Sequence, residues 1–422
     1  MPQPAAGSPD ETTTAPTATD IEAHAAILKT EAEVERTARE LADAFRAGAA
    51  ERDRERRLPR AELDRLSASG LLAVTVPAEY GGAEVSARTL AEVFRLLGGA
   101  DASLAQIPQS HFVYVAVLRR QGTPAQQEFF FREILAGRRL GNAQSEAGTR
   151  HVQDLRTRLE PAPDGGHLLL TGVKNYSTGA LFADWIPVLA RDVRDEELYV
   201  AYVPRTAPGL RIEDDWDGLG QRTTASGTVH LDAVPVPADR VLPHHLTFRG
   251  PQLHGALAQL LHAAIDTGIA GDALATAAEF VTTTSRPWFE SVDRGWGGTA
   301  AEDPLLVQRF GELDLLVRSA KALLVQAADE VDTARAALDE ESAAAASLAV
   351  AAAKVQSGKA AVEVASALFE VAGTRAALAS LGLDRHWRDA RTHTLHDPAR
   401  WKLQHLGRHA LSGIRPPRHG LL

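Results

Sequence analysis

His167–Asp192 reads HLLLTGVKNYSTGALFADWIPVLARD, and its alternation decides how the rest of the chain divides. Apolar residues recur at every second position and glycines punctuate the run, the pattern of half-buried strands joined by tight turns. Further strand pattern follows at Leu198–Val203 and Thr228–Leu231, ending at VPVPADRVL (Val234–Leu242). Upstream, the change sets in near Leu140, where GNAQSEAGTRHV (Gly141–Val152) is loop-like. Roughly a hundred residues of short strands without intervening helices predict a small barrel or sandwich inserted between helical regions. Within it, Tyr176-Ser177-Thr178 is followed by Gly179. That is either an ordinary β-turn or a hydroxyl cluster whose glycine lets a planar ligand approach closely.

The flanks carry helical spacing. Met1 to about Asp20 is Pro, Ala, Thr and Ser with few large apolar groups, which predicts a disordered tail. Ile21–Ala50 reads as an acidic-basic helix, Pro59 opens another, and Pro77–Gly82 is a turn between two more helical patterns. Ser110–Arg120 is a helix carrying His111 and Tyr114, and Pro124–Arg138 supplies the next. From Gln252 onward, Leu313, Leu316, Ala320, Leu323, Ala327, Val331, Ala334 and Leu338 form one apolar stripe, and Ser342–Gly373 is dense in alanine. A long bundle of this kind also forms subunit contacts. Between its helices, Trp288, Phe289 and Trp296 line an apolar pocket or latch over a loop. The expected fold class is α+β multidomain: tail 1–20, N-terminal helical domain 21–139, central small β-barrel 140–248, C-terminal four-helix bundle 249–422.

Composition narrows the function. A net charge of −10 argues against a broad nucleic-acid surface. The chain has no transmembrane run and no signal-peptide pattern, so a cytoplasmic location is expected. It has no cysteine, and its single methionine is Met1. Thiolate chemistry, disulfides and cysteine metal sites are excluded, and no metal site is expected. Sulfur scarcity, or the need to resist peroxide, would favour such a composition; compositional drift in an alanine- and arginine-rich chain is the bland alternative.

Chemistry converges on LDRHWRDARTHTLHDPARW (Leu383–Trp401), which holds three histidines beside an Asp-Pro step. Asp397-Pro398 reads as a helix start with a carboxylate N-cap. Ala399, Leu403, Leu406 and Ala410 continue it at helical spacing. His396 then falls on the connecting loop, where functional side chains concentrate.

Several separate motifs resemble the acyl-CoA dehydrogenase superfamily from about Arg60 to the C-terminus. LLAVTVPAEYGG with GADASLAQ resembles its first helical domain, and SEAGT (Ser145–Thr149) its flavin-touching loop. VKNYSTGA resembles the strand flanking the isoalloxazine, and GLGQRTTASGTVHLDAVPVPADRVL the end of its barrel. DRHWRDARTHTLHDPARWK and PPRHGLL resemble the branch of flavin-dependent organosulfur monooxygenases. Where the dehydrogenases carry a Tyr-Glu-Gly-Thr segment with a catalytic glutamate, this chain has His396-Asp397-Pro398-Ala399. A cap carboxylate spent on backbone amides abstracts protons poorly. Phe369-Glu370-Val371-Ala372-Gly373 stands in place of the Gln- and Gly-rich turn that receives the adenosine half of FAD, which favours FMN over FAD.

The resemblance implies a two-component monooxygenase: FMN reduced by a separate NAD(P)H flavin reductase, O2, and a sulfide, sulfoxide or sulfone substrate, in a homotetramer. The expected catalytic group is His396, with His393 beside it, His111 across the pocket, and Ser177. Asn142 and Ser177 are expected to hydrogen-bond the flavin or its oxygen, and Ser145, Tyr176, Thr178 and Arg375 to contact the flavin. Alternatives are an acyl-CoA dehydrogenase with Asp397 as base, oxygenation at nitrogen or carbon, and a DNA-protective protein using Arg408, Arg415 and Arg418.

Overall fold

A computed structural model describes residues 25–422; the tail expected to be disordered lies outside them. The helical run comprises α1 (Glu31–Arg46), α2 (Ala49–Glu55), α3 (Arg60–Ala68), α4 (Ala87–Ala100), α5 (Ala102–Gln106), α6 (Gln109–Gln121) and α7 (Pro124–Leu135). Thr30 and Glu33 cap the first reciprocally, each side chain taking the other's backbone N–H. The single helix expected over Ile21–Ala50 starts only at Glu31 and breaks after Arg46, because Gly48 adopts φ 84°. Asp101 caps α5 by accepting from the Ser103 and Leu104 amides, which fixes the direction in which Gln106 leaves the helix.

The strand pattern is realised as β1 (Arg158–Pro161), β2 (Leu168–Lys174), β3 (Trp185–Asp192), β4 (Leu198–Pro204), β5 (Leu210–Ile212), β6 (Val229–Val236) and β7 (Val241–Leu242). They form one sheet in the order β5-β6-β2-β1-β3-β4-β7, antiparallel except where β1 meets β3. Leu159, Leu170, Ile186, Val188, Val203 and Val234 turn to one side and make its core. The opening stretch is therefore β2, a turn at Tyr176–Gly179, and β3.

The chain then becomes helical again: α8 (His254–Thr283), α9 (Phe289–Asp293), α10 (Pro304–Ala336), α11 (Glu340–Ala372), α12 (Asp384–His393) and α13 (Ala399–Ser412). Leu313, Ala320, Ala327, Val331 and Ala334 of the expected stripe are buried on α10, while Leu338 lies beyond its end. Leu97 of α4, Ile265 of α8, Val331 of α10 and Ala360 of α11 share one core. α4 and α8 touch through glycine: a Cβ on Gly98 would lie 2.9 Å from Ile265 Cα, and one on Gly99 3.0 Å from the Gly268 carbonyl oxygen. Trp288, Phe289 and Trp296 are 62%, 58% and 46% exposed, and the first two rings meet at a tilt on the surface. Among the described residues no helix is long and apolar enough to cross a membrane.

Candidate active site

Three helices that are far apart in sequence meet at one point. His262 and Asp266 lie one turn apart on α8 and so share a face. His393 ends α12, His396 follows on the loop before α13, and Gln106 ends α5. Asp266 lies between two cations or their equivalents: its Oδ1 is 2.6 Å from His393 Nδ1 and its Oδ2 accepts from Lys354 Nζ of α11 at 2.7 Å. His393 Nε2 is 3.0 Å from His262 Nδ1 and 3.1 Å from Gln106 Oε1. His396 Nδ1 donates to the His393 carbonyl at 2.7 Å, and its Nε2 is 3.1 Å from Gln106 Nε2.

Burial alone would raise the Asp266 carboxyl, but Lys354 and His393 outweigh it and bring it down to about 2. His393 is pushed below its ordinary value by burial, which Asp266 only partly offsets. Burial, then the neighbouring imidazoles, lowers His262 well below the usual range. His396 is pushed down to about 4 by its protein surroundings and by His393. Yet His396 as a residue is exposed. Beside it a groove of about 980 Å³ runs along α11, lined by Lys354, Gly358, Arg391, Thr394, Leu395 and Asp397.

Three expectations need correction. Asp397 does not cap α13: Pro398 is the cap residue and no side chain bonds the first amides. Instead Asp397 is buried, with Oδ1 2.8 Å from Lys402 Nζ, near enough for an ion pair though not aligned as a hydrogen bond. The carboxylate is drawn inward by a lysine one turn into the helix. His111 does not face the cluster: it is 1% exposed, with Nε2 2.9 Å from the Leu72 carbonyl and Nδ1 accepting from the Leu140 amide at 3.0 Å. Both ring nitrogens are spent on backbone, the fate of a satisfied core histidine. Arg375 is exposed and donates to the Thr284 carbonyl. It lies past the end of α11, whose last eighteen residues after Lys354 alone span about 27 Å.

The remaining expected residues lie around the Tyr176–Gly179 turn, which packs on Ile107. A Cβ on Gly179 would meet the Ile107 carbonyl at 3.1 Å, which seats the Tyr176–Gly179 turn against the residue after Gln106. Gly141 packs equally closely on Ala180 and Ala183, bringing Asn142 to the same turn. Ser177 Oγ and Asn142 Oδ1 are buried with no partner among the described residues. Buried polar atoms rarely stay unpaired, so these two await a ligand's hydrogen bonds. Thr178 Oγ1 is 2.8 Å from Ser226 Oγ, and Tyr176, at φ 56°, leaves its ring 59% exposed edge-on to Trp216. Ser145 anchors its loop by accepting from the Asn175 amide. This donor and acceptor set fits the rim of a planar, polar-edged flavin.

Gln106, His262, Asp266 and Lys354 escaped the sequence reading. The signal for two of them was present: LLHAAIDTGIAGDAL sets a histidine and an aspartate four apart in an otherwise apolar helix. No comparable mark distinguishes Gln106.

The sequence matches the acyl-CoA dehydrogenase N-terminal domain over residues 29–138, the middle domain over 142–234 and the C-terminal domain over 260–401. It is 35% identical to a dibenzothiophene monooxygenase of Rhodococcus erythropolis, covering 90% of this chain and 93% of that one. It is 33% identical to the probable FMNH2-dependent monooxygenase SfnC of Pseudomonas putida, over 90% and 95%. The FMN-bound crystal structure of TdsC from Paenibacillus sp. A11-2 superposes with a TM-score of 0.86 at 32% identity, covering 92% of this chain and all of that one. On these matches over nearly the whole chain, it belongs to the acyl-CoA dehydrogenase family, in the branch that holds the dibenzothiophene monooxygenases.

Proposed function

We propose that this protein is the oxygenase of a two-component system, taking FMN reduced by a separate NAD(P)H flavin reductase and using O2 to oxygenate a small organosulfur compound in sulfur acquisition. One conjunction carries the reading: His396 meets Gln106, and unpartnered Asn142 and Ser177 lie at the turn packed on the next residue, Ile107, in a chain alignable over nearly its whole length with dibenzothiophene monooxygenases. Reduced FMN, when bound, supplies the electrons that activate O2. Asn142, Ser145, Tyr176, Ser177 and Thr178 would hold its ring. Arg375 would reach a flavin only across a subunit boundary, in the homotetramer that is part of this proposal.

The protein's own work is positioning and proton handling. The His393 carbonyl holds the His396 proton on Nδ1, which leaves Nε2 as the atom that takes up and returns a proton during oxygen transfer. His393, fixed by Asp266, sets the orientation of that loop. A sulfide, sulfoxide or sulfone then needs only an apolar seat and the exclusion of water. The dehydrogenase alternative requires a free Asp397, and its ion pair with Lys402 disfavours that. Oxygenation at nitrogen or carbon would use the same site. The proposal includes domain boundaries at 139/140 and 248/249, a sheet closed as a small barrel, a C-terminal four-helix bundle, and a cytoplasmic enzyme without nucleic-acid or membrane partners.

Incubation with reduced FMN, O2 and a panel of sulfur, nitrogen and carbon substrates, with products read by mass, tests the reading. Oxygenated organosulfur product is expected. His396→Ala should still bind FMN, lose oxygen transfer by roughly 10²–10⁴-fold, and release hydrogen peroxide. Full coupling in that variant, or a wild-type chain that never engages flavin, would sink the assignment.

A further inference from the structure

Around Gln106 the hydrogen-bond inventory does not close. His396 Nδ1 faces a carbonyl, which can only accept, so its proton sits there and Nε2 presents a lone pair. His393 Nδ1 faces the Asp266 carboxylate, so in the neutral ring Nε2 also presents a lone pair. Gln106 bridges both, with Nε2 3.1 Å from His396 Nε2 and Oε1 3.1 Å from His393 Nε2. One of these contacts must set acceptor against acceptor, and turning the amide over only moves the conflict to the other histidine. A proton on His262 Nδ1 can serve His393, yet Gln106 Oε1 still abuts a filled nitrogen. One positive centre would close the inventory: a proton on His393 Nε2, paired with the Asp266 carboxylate, or a cation held in its place.

We propose that His262, His393 and His396, with Gln106 Oε1 as a fourth ligand, form a binding site for a first-row divalent cation of the zinc class. The three histidines each offer a nitrogen, all within 4.8 Å of one another. A small inward movement brings them to a common centre at about 2.0–2.1 Å. Outer contacts are already of the kind that ligating histidines use: a carboxylate on His393 Nδ1 and a main-chain carbonyl on His396 Nδ1. Neutral imidazole is the form that binds metal, so a cation and a proton compete for this place. Imidazole with one amide oxygen, and no carboxylate in direct reach, suits zinc, copper, nickel or cobalt in preference to magnesium or calcium. Such an ion would engage His396 Nε2. On the functional reading above, on which this consequence alone rests, it reversibly blocks oxygenation.

The test uses the untagged full chain, stripped by chelator and titrated with Co2+. The expected result is visible d–d absorption saturating at one equivalent per chain, displacement by Zn2+, and a raised Tm. His262→Ala and His262→Gln, each checked for an unchanged metal-free Tm, should lose the bands. Asp266→Asn should weaken binding roughly 10–100-fold. Absence of bands and of a Tm shift, or equal affinity in both His262 variants, overturns the site. Binding with this pattern while Zn2+ leaves oxygenation intact upholds the site and removes His396 from the reaction. If no oxygenation is ever found, the cobalt spectra still decide the site.

Discussion

Two buried polar clusters meet α12 four residues apart, and they are built on opposite terms. At Asp389 the buried arginines are all paired with carboxylates. Arg52, 2% exposed, donates to Asp101 at 3.1 and 2.9 Å and to Glu62 and the Ala47 carbonyl at 3.1 Å each. Arg388 pairs with Asp53, and Asp389 accepts from the Gln221 amide at 2.6 Å. The space left over is about 10 Å³. Towards His393 the same helix faces a groove of about 980 Å³ through Trp387 and Arg391. The contrast separates scaffold from site: ion-paired burial with almost no space left holds elements together, whereas a polar cluster beside an open groove leaves room for something else.

The largest test of that contrast falls on the ion-paired side. Arg52→Met should cost about 3–5 kcal/mol in urea unfolding, since it strands the buried Asp101 carboxylate. A loss below about 1 kcal/mol would mean that the acidic cluster is not structural. Next comes pH. Burial first, then Asp53 and Asp101, push Asp389 up to about 7, against Arg385 and the Gln221 amide; Arg388 and Arg52 face the cluster through Asp53 and Asp101. A raised pKa means that the folded chain holds the proton more tightly. Its stabilising contribution is therefore full below the unfolded pKa near 4 and lost as pH climbs to 7. Asp389→Asn, which keeps the oxygen facing Gln221, should shrink the stability drop between pH 5 and pH 8 by about 2–3 kcal/mol. An unchanged drop would place the titration elsewhere. The smallest effect belongs to the open side: Ser177→Ala should leave stability within about 0.5 kcal/mol while weakening FMN binding about tenfold, the worth of one hydrogen bond. A clear stability loss with unaltered flavin affinity would move Ser177 from site to scaffold.

What could be read in advance followed the range of the interactions. Alternation in His167–Asp192 and the stripe on α10 are local patterns, and both became the elements they imply. His396 on its loop and His393 at a helix end were also local facts. His262, Asp266 and Gln106 reach them over sequence separations of 131, 127 and 287 residues, which a single chain does not display. Asp397 misled because Asp-Pro is so common a helix start; Lys402, buried and bonded to the Leu421 carbonyl at 2.6 Å, drew the carboxylate inward. His111 misled because a histidine near an expected pocket says nothing of where its nitrogens point.

The glycine contact between α4 and α8 bounds how this protein can be re-engineered. Gly98 and Gly99 lean on Ile265 and Gly268, immediately behind Asp266. A single methyl inserted there would lever α8 outward and take Asp266 off His393. Leu395 and Pro398, exposed on the rim of the groove, carry no such penalty. Mutational libraries aimed at new substrates belong at the mouth, with the rear wall left as inherited.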